Sequence, residues 1–174
     1  MSPILRVFKP TQRYKALSDV PVEELAARGI RGILLDIDNT LVPYGDLEHI
    51  PDHNRKWLER AKSAGVAVIL YSNATQKKID RVRGVSGLDG VPKAYKPGWG
   101  QLWKALEMVN APKDRIVMVG DQLCTDILGG NLCGVETILV EPLTEKDWWG
   151  TKILRLIEWI FLSDRRPWGR KARG

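Results

Sequence analysis

The chain has 174 residues, of which 44% are hydrophobic and 28% are charged, and its formal net charge is +6. This composition is typical of a globular protein and excludes a disordered or low-complexity chain, and the length suits one structural domain with a buried core. The sequence has neither a long apolar run nor an N-terminal signal pattern, so we expect no membrane span and no secretory leader.

The positive charge is concentrated near the two ends. Residues 1–20 carry a net charge of +3 and residues 151–174 a net charge of +5, so the residues between them are slightly acidic. Basic ends favour anionic surfaces, such as acidic lipid or nucleic acid. Residues 153–162, which are mostly apolar, precede the last basic cluster. They predict either a segment at a bilayer interface, bearing a tryptophan and flanked by basic residues, or a final helix packed on the sheet.

The two cysteines, Cys124 and Cys133, match no paired metal or redox spacing. We therefore expect them to be reduced packing residues, as is usual in a cytoplasmic protein. His49 and His53 lie four residues apart, but Pro51 between them disfavours a shared helical face. We do not assign these histidines to a metal site.

Helical and strand patterns alternate along the chain, after an N-terminal stretch, residues 1–17, that shows no regular pattern. Apolar runs predict strands at residues 31–36, 66–71, 91–94, 115–119 and 135–140. Apolar spacings and helix-terminal residues predict helices at residues 19–29, 52–64, 75–83 and 99–109, and another beginning near Asp126. We expect the tryptophans of the 99–109 helix to lie in the core. The alternation predicts an α/β fold of the Rossmann-like three-layer type, with a parallel sheet of about five strands and helices on both faces.

The first of these strands ends in two carboxylates. The apolar run at residues 33–35 stops at Asp36 and Asp38, whose side chains point to the same side of an extended chain. Ligands of parallel α/β sheets bind beyond the carboxyl ends of the strands. Two such carboxylates repel each other unless a cation lies between them, and a hard ion such as Mg²⁺ prefers oxygen ligands. Taken alone, this stretch could also be a polar turn after a strand.

Polar residues follow three more of the predicted strands. Ser72 and Asn73 follow the second strand, Lys96 follows the third, and Asp121 and Asp126 follow the fourth. Individually, a serine at a strand end or a lysine on a solvated surface has no functional meaning. Their order and spacing, together with Asp36-x-Asp38-x-Thr40, resemble the four motifs of the haloacid dehalogenase (HAD) superfamily of Mg²⁺-dependent phosphohydrolases. The resemblance covers about residues 30–140, and strand context makes such motifs specific.

The resemblance implies a role for each motif residue. Asp36 would be the nucleophile that forms an aspartyl-phosphate, and Asp38 the acid that protonates the leaving oxygen and then activates water. Mg²⁺ would bind Asp36, Asp121 and the backbone carbonyl of Asp38. The other implied roles are phosphate binding by Ser72, Asn73 and Lys96, and the holding of a metal-bound water by Asp126.

The intervals between the motifs bear on the substrate. Residues 41–71 and 73–95 each have room for about one helix and its loops, so we expect no sizeable cap domain and an open site. Residues 29–32, 120–131 and 137–142 resemble the cap-less, phosphatidylglycerophosphatase-like branch of the superfamily. Leu132 departs from that pattern, in which a basic residue is expected after Gly-Gly-Asn.

This branch implies dephosphorylation of phosphatidylglycerophosphate to phosphatidylglycerol by a cytoplasmic protein at the inner membrane face, with the basic ends on anionic lipid. The alternatives are a soluble phosphomonoester, such as a sugar or nucleotide phosphate, and a non-catalytic nucleic-acid-binding module. The last is disfavoured because the basic ends lack stacking motifs, and we expect no nucleic-acid partner. We divide the chain into an N-terminal arm and short helix (1–29), a HAD-like core (30–140) and a C-terminal amphipathic segment with a basic tail (141–174).

Overall fold

The computed structural model describes residues 6–98 and 100–144. Trp99 lies outside these residues, and so do the apolar segment and basic tail at residues 151–174. Within the described ranges, no helix is both long enough and apolar enough to cross a bilayer.

A six-stranded parallel sheet forms the middle of the molecule, with the strand order β1-β6-β5-β2-β3-β4. The α/β prediction is confirmed, with one strand more than the expected five or so. The strands are β1 (Gln12–Tyr14), β2 (Gly32–Leu35), β3 (Ala67–Tyr71), β4 (Gly90–Val91), β5 (Ile116–Gly120) and β6 (Glu136–Val140).

The additional strand, β1, lies in the N-terminal stretch that was predicted to be irregular, so that prediction is wrong at residues 12–14. The strand is short, polar and at the sheet edge, pairing in parallel with β6 through Gln12 and Ile138, Arg13 and Leu139, and Tyr14 and Val140. Three polar residues carry no hydrophobic alternation, so the strand depends on pairing with a distant segment that the local pattern does not reveal.

Helices cover both faces of the sheet. They are α1 (Val22–Ala27), α2 (Asp52–Ser63), α3 (Gln76–Ser86), α4 (Leu102–Val109) and α5 (Leu128–Cys133). Short 3-10 helices lie at Leu17–Asp19 and Lys113–Arg115, and a π-helical turn at Leu123–Ile127 precedes α5.

Successive residues of β2 enter opposite layers of the core, as strand geometry requires. Ile33 and Leu35 pack in the layer that contains Trp57 of α2 and Ile79 of α3, whereas Leu34 packs in the layer that contains Ala105 of α4. The predicted three-layer arrangement is therefore confirmed. No cap interrupts it, since residues 41–95 hold only α2, β3, α3, β4 and their loops.

Trp103 corrects one core prediction. Its side chain is exposed, and its Nε1–H donates to the carbonyl of Gly100 at 3.0 Å. Helix α4 buries a stripe through Leu102, Ala105 and Leu106, and Trp103 lies about 100° around the helix from Leu102. The spacing of apolar residues was compatible with burial of either of two neighbouring faces of this helix. The face that carries Trp103 is not the one that is buried.

Candidate active site

The carboxyl ends of β2, β3 and β5 meet at one edge of the sheet because β2 pairs in parallel with both neighbours. Asp36 follows β2 directly, and its backbone N–H donates to the carbonyl of Val119 in β5 at 2.9 Å. Ser72, 4% exposed, follows β3, and its Oγ accepts a 3.4 Å hydrogen bond from the N–H of Ala74. The sheet thus brings the predicted strand-end residues to one place.

The motif loop, residues 36–42, turns sharply after β2. The N–H groups of Leu41 and Val42 both donate to the carbonyl of Ile37, at 3.0 and 3.1 Å. Asn39 has a φ of 57°, a left-handed conformation that asparagine adopts more readily than most residues. The loop is therefore closed on itself by its own backbone.

A buried asparagine of α2 holds the far side of this loop. Asn54 is fully buried, and its Nδ2 donates to the carbonyls of Thr40 at 3.1 Å and Leu41 at 2.9 Å. Buried carbonyl groups without partners are costly, so this side chain stabilises the turn that follows the two motif carboxylates.

Lys96 lies at the centre of the site. Its Nζ lies 2.6 Å from Oδ1 of Asp36 and 2.6 Å from Oδ1 of Asp126, and the three side chains are 4%, 7% and 0% exposed. Burial alone would lower the pKa of Lys96, but the carboxylates of Asp126 and Asp36 outweigh burial and raise that pKa. The lysine is therefore a permanent buried cation.

Asn73 holds the backbone of Lys96 in place. The side-chain Oδ1 of Asn73 accepts from the N–H of Lys96 at 2.7 Å, and its Nδ2 donates to the carbonyl of Lys96 at 3.1 Å. The side chain of Asn73, which the sequence predicts to bind phosphate, is therefore hydrogen-bonded to the backbone of Lys96. Asn73, two residues after β3, and Lys96, five residues after β4, thus form one unit.

Three carboxylates form a cluster around the lysine. One oxygen from each of Asp36, Asp121 and Asp126 lies within 4.8 Å of the others. Burial, followed by the charges of Asp36 and Asp126, raises the pKa of Asp121 well above its usual range. Burial raises the pKa of Asp126 to about 6, although the charge of Lys96 opposes this rise. One lysine does not neutralise three carboxylates, and an all-oxygen set of this kind suits a hard divalent cation.

The approach of Asp126 depends on a glycine. A Cβ on Gly120, the last residue of β5, would overlap the carboxylate of Asp126. Oδ2, the carboxylate oxygen nearest to that Cβ, accepts a 3.1 Å hydrogen bond from the N–H of Gln122. The π-helical turn after β5 thus returns Asp126 to the strand end, where it is part of the carboxylate cluster rather than outside it.

Asp38 does not join the cluster with its side chain. Both of its carboxylate oxygens lie 2.6 Å from Nζ of Lys78 on α3, and the side chains of Asp38 and Lys78 are 21% and 24% exposed. Sequence reasoning missed Lys78 because it lies among several polar residues of one helix. The only available signal was its position shortly after the Ser72 strand end.

Comparisons with known proteins bear on this site. Two family models match the chain: one described as HAD-hydrolase-like covers residues 94–144, and one described as mitochondrial PGP phosphatase covers residues 4–84. The probable phosphatase YqeG of Bacillus subtilis (strain 168) is 33% identical over 158 residues, which are 91% of each of the two chains.

Two plastid or mitochondrial relatives are longer. Phosphatidylglycerophosphate phosphatase 1 of Chlamydomonas reinhardtii is 30% identical over 148 residues, 78% of this chain and 55% of that protein. The Arabidopsis thaliana protein of the same name is 27% identical over 172 residues, 94% of this chain and 49% of that protein. The chain thus spans about half the length of these two relatives.

Among solved structures, an uncharacterized protein from Listeria monocytogenes serotype 4b has a similar fold. Its TM-score is 0.55 at 20% identity, and the match covers 67% of this chain and 83% of that one. This likeness supports the fold that the sheet order already shows.

Proposed function

Because this chain belongs to the haloacid dehalogenase superfamily and is a phosphatase, we propose that it hydrolyses phosphomonoesters with Mg²⁺ through an aspartyl-phosphate on Asp36. The observation that supports this most directly is the buried lysine that contacts Asp36 inside a cluster of three carboxylates. A nucleophilic carboxylate needs nearby positive charge before a phosphate dianion can approach it.

The donor set fits the proposed ion. Mg²⁺ would be held by Asp36, Asp121 and the backbone carbonyl of Asp38, with Asp126 beside them, and would supply positive charge against the phosphoryl oxygens. Lys96 offsets only one of the three negative charges of the cluster. Burial, followed by the neighbouring carboxylates, raises the pKa of Asp121, and a divalent cation would offset the charge that remains.

The chain's own residues would divide the reaction into two displacements. A carboxylate oxygen of Asp36 forms a bond to phosphorus while the bond from phosphorus to the leaving oxygen breaks, and Asp38 gives that oxygen a proton. Water then attacks phosphorus, Asp38 takes back a proton, and inorganic phosphate leaves Asp36. Lys96 keeps its charge through both steps and offsets the charge of the phosphoryl oxygens, and Ser72 donates its hydroxyl to one of them.

The substrate that we propose is phosphatidylglycerophosphate, giving phosphatidylglycerol and phosphate. The names of two relatives and the family model over residues 4–84 support this choice. The absence of a cap within residues 41–95 supports it as well, because an open site admits a phosphate attached to a lipid. We place the protein at the cytoplasmic face of the membrane, where its basic ends would contact anionic lipid.

The competing substrate class is a soluble phosphomonoester, to which the open site is equally accessible. The third reading from the sequence, a non-catalytic nucleic-acid-binding module, is wrong because the chain is a phosphatase.

Phosphate release in Mg²⁺ separates the two substrate classes. We expect the full chain to hydrolyse detergent-dispersed phosphatidylglycerophosphate faster than any member of a panel of sugar and nucleotide phosphates. Mass spectrometry of acid-quenched protein should find the transient phosphoryl group on Asp36. Hydrolysis of the soluble panel alone would overturn the lipid assignment. Equal rates of phosphate release with and without Mg²⁺ would overturn the metal assignment.

A further inference from the structure

Two lysines that differ in solvent exposure contact the motif carboxylates. Lys96 is 4% exposed and contacts Asp36, the proposed nucleophile, whereas Lys78 is 24% exposed and contacts Asp38. Both contacts are 2.6 Å long. The site thus has an inner cation on the phosphoryl side and an outer cation on the more open side.

The outer cation lies on the side of the leaving group. On the proposed function, Asp38 gives its proton to the leaving oxygen, so this oxygen must come within hydrogen-bond distance of the Asp38 carboxylate. Lys78 contacts both oxygens of that carboxylate. Its ammonium group is therefore next to the first atoms of the leaving group.

Lys78 keeps bonding capacity for a second partner. An ammonium group has three N–H donors, and the two contacts to Asp38 use two of them. The Asp38–Lys78 pair is also partly exposed, so an incoming ligand can reach the third donor. An anionic group a few bonds away from the leaving oxygen would be such a ligand, whereas a neutral alcohol would offer only a weak acceptor.

We propose that Lys78 is a specificity-determining residue that favours phosphomonoesters whose leaving group carries a second anion, such as a glycerol with a second phosphate. This proposal rests on the proposed function and deepens it. It assigns the preference to the charge of the head group rather than to the acyl chains. A phosphodiester three carbons away from the hydrolysed phosphate belongs to this chemical class.

The alternative is that Lys78 only holds Asp38 in position. In that case its loss would slow the hydrolysis of every substrate by the same factor, because Asp38 acts on all of them. The ratio between two substrates separates the alternatives, since only a contact with the leaving group changes that ratio.

The test compares kcat/KM for glycerol bisphosphate with kcat/KM for glycerol 1-phosphate, in Mg²⁺, for the full chain and for Lys78→Met and Lys78→Arg. The matched control is Lys77→Met, which removes an exposed lysine from the same helix. We expect the unchanged protein and Lys77→Met to prefer the bisphosphate by about tenfold to a hundredfold, the range of one hydrogen bond to a charged group. Lys78→Met should hydrolyse both at similar efficiency, and Lys78→Arg should keep part of the preference.

Binding gives a second measurement that does not depend on turnover. Calorimetry on Asp36→Asn with the same two ligands should show tighter binding of the bisphosphate, and the additional change Lys78→Met should remove the difference. An equal loss for both ligands would overturn the specificity role while leaving the phosphatase proposal intact. No phosphate release by the unchanged protein, either from these two compounds or from detergent-dispersed phosphatidylglycerophosphate, would overturn the proposed function, and this inference with it.

Discussion

The hydroxyl of Thr144 donates a 2.6 Å hydrogen bond to the side-chain Oδ1 of Asn39, which joins the segment after β6 to the motif loop. The same oxygen of Asn39 accepts from the N–H of Tyr44 at 3.3 Å, and the carbonyl of Asn39 accepts from the N–H of Leu143 at 2.8 Å. Asn39 directly follows Asp38, the second motif carboxylate, and has the left-handed conformation. The segment after β6 therefore helps to fix the loop on which both carboxylates lie.

Thr144→Val should lower turnover more than stability. The change removes one hydrogen bond, which contributes about 1 kcal/mol to the free energy of unfolding. It also releases a loop whose displacement by a fraction of an ångström affects the reacting groups, so we expect about a tenfold or larger loss of kcat. Urea unfolding and steady-state kinetics measure the two effects. Thr144→Ser keeps the hydroxyl and should restore kcat, and a valine variant with normal kcat would show that this contact is dispensable.

The two motif carboxylates should differ in what their loss does. Asp36→Asn removes the proposed nucleophile, so turnover should fall to background. Asp38→Asn should reduce kcat by a factor of about 10²–10⁴, the range of general acid–base catalysis. The control is Asp80→Asn, which changes an exposed carboxylate of α3 and should leave the rate unchanged. Normal turnover by Asp36→Asn would refute the nucleophile assignment.

Gly120 should tolerate no side chain. In Gly120→Ala, the new methyl group overlaps the carboxylate of Asp126, so the site has to shift. We expect a stability loss of about 1–3 kcal/mol, which is the usual cost of overpacking, together with a large loss of activity. Gly84→Ala is the matched control, because a Cβ there meets nothing within 4 Å and alanine favours the helix α3. Thermal melting and phosphate release measure both variants, and equal behaviour of the two would contradict this prediction.

The sequence predicted the strand-end residues well because each follows a buried apolar run, and parallel strands bring such ends together. Asp36, Ser72 and Asp121 could be placed in this way. Lys78 and Asn54 could not, because their partners are 40 and 13 to 14 residues away and nothing local distinguishes them from other polar residues of their helices. Strand β1 was missed for the same reason, since its pairing with β6 is entirely non-local.

Metal binding should stabilise the fold through the carboxylate cluster. Mg²⁺ at about 100 times its Kd adds about 2.7 kcal/mol to the free energy of unfolding. For a chain of this size, this corresponds to a rise in Tm of about 5–11 °C. Asp121→Asn removes one ligand and should abolish most of this rise, which differential scanning fluorimetry with and without Mg²⁺ measures. The exposed carboxylate of Asp114 provides the control, and Asp114→Asn should keep the full Mg²⁺ effect.

Asp121→Asn should be more stable than the unchanged protein when metal is absent. The pKa of Asp121 is raised in the folded state, so the folded protein binds this proton more tightly than the unfolded chain. The resulting stability is fully present below the ordinary pKa of about 3.9 and is lost as the pH rises through the raised value. At neutral pH the carboxylate therefore destabilises the metal-free fold. A lower metal-free Tm for Asp121→Asn at pH 7 would contradict this sign.

The basic tail should act on membrane binding and leave the chemistry unchanged. The proposed site residues all lie between Asp36 and Asp126. Replacing five tail cations by glutamine removes charge without shortening the chain. These five residues are Arg165, Arg166, Arg170, Lys171 and Arg173. Each basic residue near an anionic surface contributes about 1 kcal/mol to binding. We therefore expect weaker sedimentation with anionic vesicles, especially at low salt, and slower hydrolysis of lipid substrate in those vesicles. Turnover of a small soluble phosphate ester should be unchanged. Equal vesicle binding by both proteins would remove the support that the tail gives to a membrane substrate.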